Sequence, residues 1–217
     1  MQAEGEPERP SKLTEPMPAT EDEIREKYLE RAIREINSLS RDVQSCSHCP
    51  RGNLMPVLGS GHPQADIMLL KYTPTVSEIE EGVAFYGRSG NAMTKSLKRL
   101  NIDPLAVYGT LFVKCPVADP ALADPACLAR VGEEFAIVQP RIIVVMGEPA
   151  LAALNELDLP LARELQWQPG VIQPLTDACD VLSTPNIDDS LDSEDSKVKF
   201  WAAFRSLGEW WGELPPY

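Results

Sequence analysis

The sequence predicts an α/β domain with three layers, α/β/α, around a mainly parallel four-stranded central sheet. Four short apolar runs bounded by turn residues recur along the chain, the form of strands buried on both faces. Segments with helical spacing of apolar residues lie between them, and strands alternating with helices fold into parallel sheets covered on both sides.

Residues 1–20 mix Glu, Pro, Ser and Lys with few large apolar side chains, so they bury too little surface to offset the entropy of ordering. They are read as a disordered acidic tail, and residues 21–217 as the folded domain. Ile24, Tyr28, Ala32, Ile36 and Leu39 recur at helical spacing after Thr20, a ready N-cap, and predict a first helix from Glu21 to about Val43. The strands are Asp66–Leu70, Val107–Val113, Ile142–Met146 and, more weakly patterned, Cys179–Leu182. Helical patterns fall at about Ser89–Leu100, Pro125–Val138, Pro149–Leu157 and Ser196–Trp211. There is no internal repeat.

The formal charge is −13. That balance opposes any role dominated by phosphate contacts, though it allows a local basic groove. From Asp177 to Asp195 there are seven acidic residues and no Lys or Arg. No window approaches a membrane span, so no membrane partner is expected. The polar, acidic N-terminus has neither the basic start nor the apolar segment of a secretory signal, which predicts a cytoplasmic location. In a reducing compartment, clustered cysteines are ligands more readily than disulfides.

Cys46 and Cys49 form a C-x2-C pair after the first helix. Cys115 follows the second strand and Cys127 stands near the start of a helix. Four thiolates satisfy either an iron–sulfur cluster or one tetrahedral zinc, and spacing alone does not choose. Cys179, on the last strand, reads as a core residue.

Several blocks carry a resemblance. They are Cys46-Ser-His-Cys49-Pro-Arg51, the loop Gly82 to Met93, Val107-Tyr-Gly-Thr-Leu-Phe-Val-Lys-Cys115-Pro116, and the long block from Cys127 through Gln139-Pro140-Arg141 to Leu151. Together, from about Asp42 to Pro185, they resemble the iron–sulfur branch of the uracil-DNA glycosylase superfamily, family 4, with family 5 nearby. The resemblance implies that Cys46, Cys49, Cys115 and Cys127 hold a 4Fe-4S cluster of structural role, with zinc the less favoured metal. It also implies DNA as partner and N-glycosidic bond hydrolysis as chemistry. Such an enzyme flips a base from the stack, reads its edge, activates a water and stabilises the departing base anion.

The pocket positions depart from the family's pattern. Its first motif, Gly-Glu-Ala-Pro-Gly, reads Lys71-Tyr72-Thr73-Pro74-Thr75 here. The lost glycines had let backbone approach a ligand, and Tyr72, with an ordinary pKa of about 10, is no general base but could fill the pocket. The family's pocket asparagine falls on Leu111, which cannot pair with uracil's edge. Its His-Pro motif appears as Thr184-Pro185, a hydroxyl in place of an imidazole. Asn186–Asp195, where the family has a loop that enters DNA, is acidic and should be repelled by phosphates. Phe85 matches the aromatic on which the flipped base stacks. His62 and His48 do not fill the missing histidine's place, Arg88, Lys95, Lys98 and Arg99 form at most a modest basic face, and Trp201, Trp210 and Trp211 read as packing residues.

Pocket candidates are therefore Tyr72, Phe85, Leu111 and Thr184, with no catalytic residue assigned. The changes favour a uracil-DNA glycosylase-like iron–sulfur protein with weak, altered or no base-excision activity and a binding or interaction role, toward DNA weakly or toward a protein partner. The alternative is an active DNA glycosylase acting on uracil or another damaged base. Residue chemistry alone leaves open whether the chain is an enzyme.

Overall fold

The computed structural model describes residues 20–214. The tail expected over residues 1–20 lies outside the described residues except for Thr20, which caps α1 (Glu21–Ser45). The Thr20 hydroxyl accepts from the Glu23 N–H at 3.3 Å, and the Glu23 carboxylate accepts from the Thr20 N–H at 2.8 Å. This reciprocal pair satisfies two N–H groups that the first turn leaves without intrahelical partners. The helix runs two residues past the expected Val43, burying Ala32, Leu39 and Val43.

The remaining strands and α-helices are β1 (Ser60–Gly61), β2 (Ile67–Lys71), α2 (Val76–Glu81), α3 (Arg88–Arg99), β3 (Val107–Leu111), α4 (Pro125–Val138), β4 (Ile142–Met146), α5 (Glu148–Asn155), β5 (Ile172–Pro174), β6 (Asp180–Thr184), α6 (Ile187–Ser190) and α7 (Glu194–Gly212). The sheet order is β1-β3-β2-β4-β6-β5. Its four central strands are parallel and are the four the sequence predicts; β1 and β5 add antiparallel edges, so the sheet has six strands rather than four. Two residues and three, one of them Pro174, are too few to carry an apolar alternation. At β1 the chain comes so close to β3 that a Cβ on Gly61 would stand 2.2 Å from the Val107 carbonyl oxygen.

Every residue of β2, β3 and β4 is buried, which explains why these strands read as continuous apolar runs. One sheet face carries Met68, Leu70, Ile143, Val145 and Val181 against α4 and α5. The other carries Ile67, Leu69, Ile142, Val144 and Leu182 against Met93 and Leu97 of α3 and Phe200, Phe204 and Leu207 of α7. Cys179 is buried in the first layer, as expected of a core residue. Trp201, Trp210 and Trp211 pack on the second, and the Trp210 indole N–H donates to Asp180 at 2.9 Å. Among the described residues no helix is long and apolar enough to cross a membrane.

The strand order reverses at β2, with β3 on one side and β4 on the other. In open α/β sheets, ligands bind outside the C-terminal ends of the strands at such a point.

Candidate functional site

The register of the parallel strands assembles the site. Leu111 pairs with Lys71, Lys71 with Met146, and Met146 with Thr184, so four strand ends form one row across the sheet. Two pocket candidates, Leu111 and Thr184, stand in this row, and Phe85 joins them from the α2–α3 loop. Leu111 is buried with Val57 and Ala84 against Phe85 and Ile79. Thr184 is buried, and its hydroxyl has no hydrogen-bond partner among the described residues.

Lys71 dominates the row. Its side chain is 1% exposed, and its ammonium lies 2.9 Å from Glu78 and 2.7 Å from Asp188. It also stands over the Phe85 ring, 5.2 Å from the centroid. Glu78, fully buried, accepts further from the Thr75 N–H at 2.7 Å, the Thr75 hydroxyl at 2.9 Å and the Phe85 N–H at 2.6 Å. A buried charge persists only where partners and donors replace its water, and this network supplies both. The face of Phe85 nearest Lys71 is therefore covered by an ammonium.

Phe85 is fixed by its backbone as well. Its φ is +57°, uncommon for a residue with a side chain, and its ring lies so close to β3 that a Cβ on Gly109 would meet ring carbon Cδ2 at 2.6 Å. Phe85 also lines a cavity of about 510 Å³ with residues of α3 and β3, among them Asn91, Thr94 and Gly109.

Tyr72 does not fill this pocket. Side chains alternate between sheet faces, and Tyr72, one residue beyond Lys71, packs in the opposite layer, 6.4 Å from Phe112 between ring centroids. Lys71 fills the place beside Phe85.

The acidic segment after Thr184 is also ordered differently from expectation. Asn186 caps α6, Ile187 is buried, and Asp188 turns inward onto Lys71. Asp192 accepts from Arg88 of α3 at 2.8 Å. Burial pushes the Asp188 carboxyl above its ordinary range, while the Lys71 ammonium pulls the other way. Its Oδ1 has no partner among the described residues, and neither does the buried Ser89 hydroxyl lining the same cavity of about 360 Å³.

The cysteine site lies apart, where the α1–β1 loop, the β3–α4 loop and the start of α4 meet. Cys49, Cys115 and Cys127 are buried, with sulfurs all within 4.8 Å of one another. Cys46, half-buried at the C-cap of α1, is outside that mutually close set, and its carbonyl accepts from Arg51 at 2.8 Å. The Asp124 N–H donates to the Cys49 sulfur at 3.3 Å. Cys127 is pulled down to about 5 by hydrogen bonding from the Cys115 thiol, then by the Lys114 and Cys115 backbone N–H groups and the Lys114 charge. Cys115 is pushed up, first by its bond to Cys127 and then by burial; burial also raises Cys49. Three buried thiols, two of them, Cys49 and Cys127, with amide donors aimed at sulfur, suit thiolate ligation of a metal centre. Beneath them, Lys114 pairs with Glu134 at 2.8 Å, and Glu134 also accepts from Tyr108 at 3.0 Å and Thr110 at 2.8 Å. His48 and His62 are exposed and belong to neither site.

The family model of the uracil DNA glycosylase superfamily matches residues 58–205. The chain belongs to the uracil DNA glycosylase superfamily. The matched span holds the whole strand-end row, Phe85, Cys115 and Cys127, while Cys46 and Cys49 precede it. Within the superfamily the chain is family 4-like. It is 30% identical over 131 residues to a type-4 uracil-DNA glycosylase of Pyrobaculum aerophilum, covering 57% of this chain and 66% of the relative. It is 32% identical over 123 residues to that of Sulfurisphaera tokodaii, covering 52% and 54%, and 27% identical over 130 residues to that of Saccharolobus solfataricus, covering 55% and 58%. The chain thus spans between about half and two thirds of the length of these relatives.

Glu78 and Asp188 are the members of this ion network that sequence reasoning passed over. The signals were present: Thr75-x-x-Glu78 is a capping-box pattern, and Lys71 is a charge closing an apolar strand. Neither reveals that two carboxylates distant in sequence converge on one ammonium.

Proposed function

We propose that this chain is a uracil-DNA glycosylase-like iron–sulfur protein whose base pocket has become an internal ion network. In this reading base excision is weak, altered or absent, and the fold serves binding or interaction, with DNA held weakly or a protein partner engaged. The observation that carries it is the buried Lys71 ammonium between Glu78 and Asp188, against Phe85. A base stacking on the Lys71 face of Phe85 must displace that charge and break its ion pairs with both carboxylates. Leu111, standing next to Lys71 in the row, offers no hydrogen bond in exchange.

Cys49, Cys115 and Cys127, with Cys46 from the end of α1, would hold a 4Fe-4S cluster. A bound cluster would tie α1, the β3–α4 loop and α4 together and supply structural cross-linking. The amide donors to Cys49 and Cys127 favour their thiolate forms, which either iron–sulfur or zinc ligation requires. Brown protein with about four irons per chain supports the cluster, and a colourless zinc protein refutes it.

A second reading has its own support. Thr184 and Asp188 each leave a buried polar oxygen without a partner among the described residues, and such atoms often mark ligand positions. If α6 moved away, Lys71 could neutralise a departing base anion. Single-stranded and double-stranded oligonucleotides carrying uracil or hypoxanthine, treated with alkali after incubation, decide between the two. Strand cleavage that is robust and lost in Phe85→Ala establishes an active glycosylase; no or trace cleavage supports the first reading.

A further inference from the structure

Apart from the strand-end row and the cysteines, α3 and α7 enclose a groove of about 530 Å³, closed at one end by α6. Its floor is apolar, with Phe200 buried, Ile187 buried, Trp201 and Leu191 half-buried and Val198 66% exposed. Its walls carry Lys95 and Arg99 from α3 and Lys197 and Arg205 from α7, all exposed. No Asp or Glu lines it, in a chain whose formal charge is −13. Ala92, Lys95, Ser96 and Arg99 repeat at helical spacing along one side, and Lys197, Trp201 and Arg205 along the other, so the cations flank the apolar floor in two rows.

We propose that this groove docks an acidic amphipathic helix of a protein partner, with the partner's apolar side chains on Val198 and Leu191 and its carboxylates between the two basic rows. The chemistry selects a peptide. An apolar floor gains by covering leucine-like side chains, and the helix-in-groove mode needs an apolar stripe flanked by charge. Trp201 is not free for base stacking, because the Arg99 guanidinium lies 4.7 Å over its ring. The exposed acids Asp192, Glu194 and Asp195 lie in sequence between the lining residues Leu191 and Lys197, with Glu194 paired to Lys197, and they oppose a continuous phosphate chain more than a helix with spaced carboxylates. The twelve residues of α3 give a wall roughly 18 Å long, matching about three turns of a docked helix. This site is separate from the Lys71 row, so the proposal stands whether or not the chain excises bases.

The test uses the full chain and a fluorescein-labelled helical peptide of roughly 15 residues, with Leu at i, i+3, i+4 and i+7 and Glu on the opposite face. Polarisation should show saturable binding, weakened about tenfold or more in Lys95→Glu/Arg205→Glu and in Val198→Asp. All three positions are exposed, so the variants should keep the wild-type circular dichroism. Arg25→Glu/Lys27→Glu on α1 removes equal charge elsewhere and should leave binding unchanged. A version of the peptide with Gln for Glu should bind about tenfold more weakly, and so should one with Ser for Leu. Equal binding by either peptide control, or equal loss in the α1 variant, overturns the proposal. Tighter binding of an oligothymidylate that Lys95→Glu/Arg205→Glu abolishes makes the groove a nucleic-acid site. Self-association abolished by Val198→Asp makes the occupant a second copy, and peptide affinity that rises on deleting residues 1–19 makes it the chain's own N-terminal segment. Each of these three also overturns it.

Discussion

Separating Lys71 from Glu78 should be among the most damaging changes to this fold, and a double-mutant cycle measures it. At 2.9 Å and an effective dielectric near 20, the gross attraction is about 6 kcal/mol, most of it offset by desolvation of both groups. What a single substitution exposes is the uncompensated partner, and breaking a buried pair typically costs about 3–5 kcal/mol. Lys71→Met leaves Glu78 at 0% exposure but still holding the Thr75 N–H, the Thr75 hydroxyl and the Phe85 N–H. Those donors place the expected loss at the lower end, about 3 kcal/mol. Glu78→Gln leaves Lys71 with Asp188 at 2.7 Å and should cost a similar amount. In a domain of this length each single variant should melt about 6–12 °C below the wild type. Lys71→Met/Glu78→Gln removes both charges, and its loss should fall short of the sum of the single losses by about 2 kcal/mol or more. Urea unfolding of the purified protein, with thermal melts in parallel, reads all four corners. Single losses below about 1 kcal/mol, or strict additivity, would refute the network as the organising feature of the site.

Three further outcomes follow from the same geometry. Because burial raises the Asp188 carboxyl in the folded state, its contribution to stability is present below its unfolded pKa and lost as pH rises through the folded value. Asp188→Asn should therefore be at least as stable as the wild type near neutrality, the difference vanishing on acidification; urea midpoints across pH would contradict this if the gap widened toward acid. Gly109→Ala drives a methyl to 2.6 Å from the Phe85 ring and should cost about 1–3 kcal/mol, an effect that Phe85→Ala in the same chain should relieve when both are followed by thermal melting. On the proposed iron–sulfur reading, Cys127→Ser should abolish visible absorbance and bound iron, whereas Cys179→Ser, buried among the first-layer apolar residues, should keep both.

The layers, the four parallel strands and the main helices were legible because each rests on local patterning. Fully buried strands must be apolar throughout, and amphipathic helices must repeat near every third or fourth residue. Ile142–Met146 and Pro125–Val138 match their predicted limits for this reason. The edge strands β1 and β5 and the short helices α2 and α6 escaped because two to six residues hold too little of any pattern to stand out. Their existence depends on what they pack against.

Residue order alone was enough for the superfamily scaffold and the candidate cysteine ligands, and it singled out Lys71, Leu111 and Thr184 as replacements in the pattern the chain resembles. It was not enough for what those replacements do, since a charge, a leucine and a hydroxyl have no fixed role apart from their neighbours. Three-dimensional packing settled that Tyr72 faces the opposite layer, that Lys71 occupies the space beside Phe85, and that Asp188, 117 residues away, turns an expected phosphate-repelling loop inward. Desolvation makes a buried ammonium depend on whatever carboxylates the fold can bring to it, and only strand register and the path of α6 specify which ones those are.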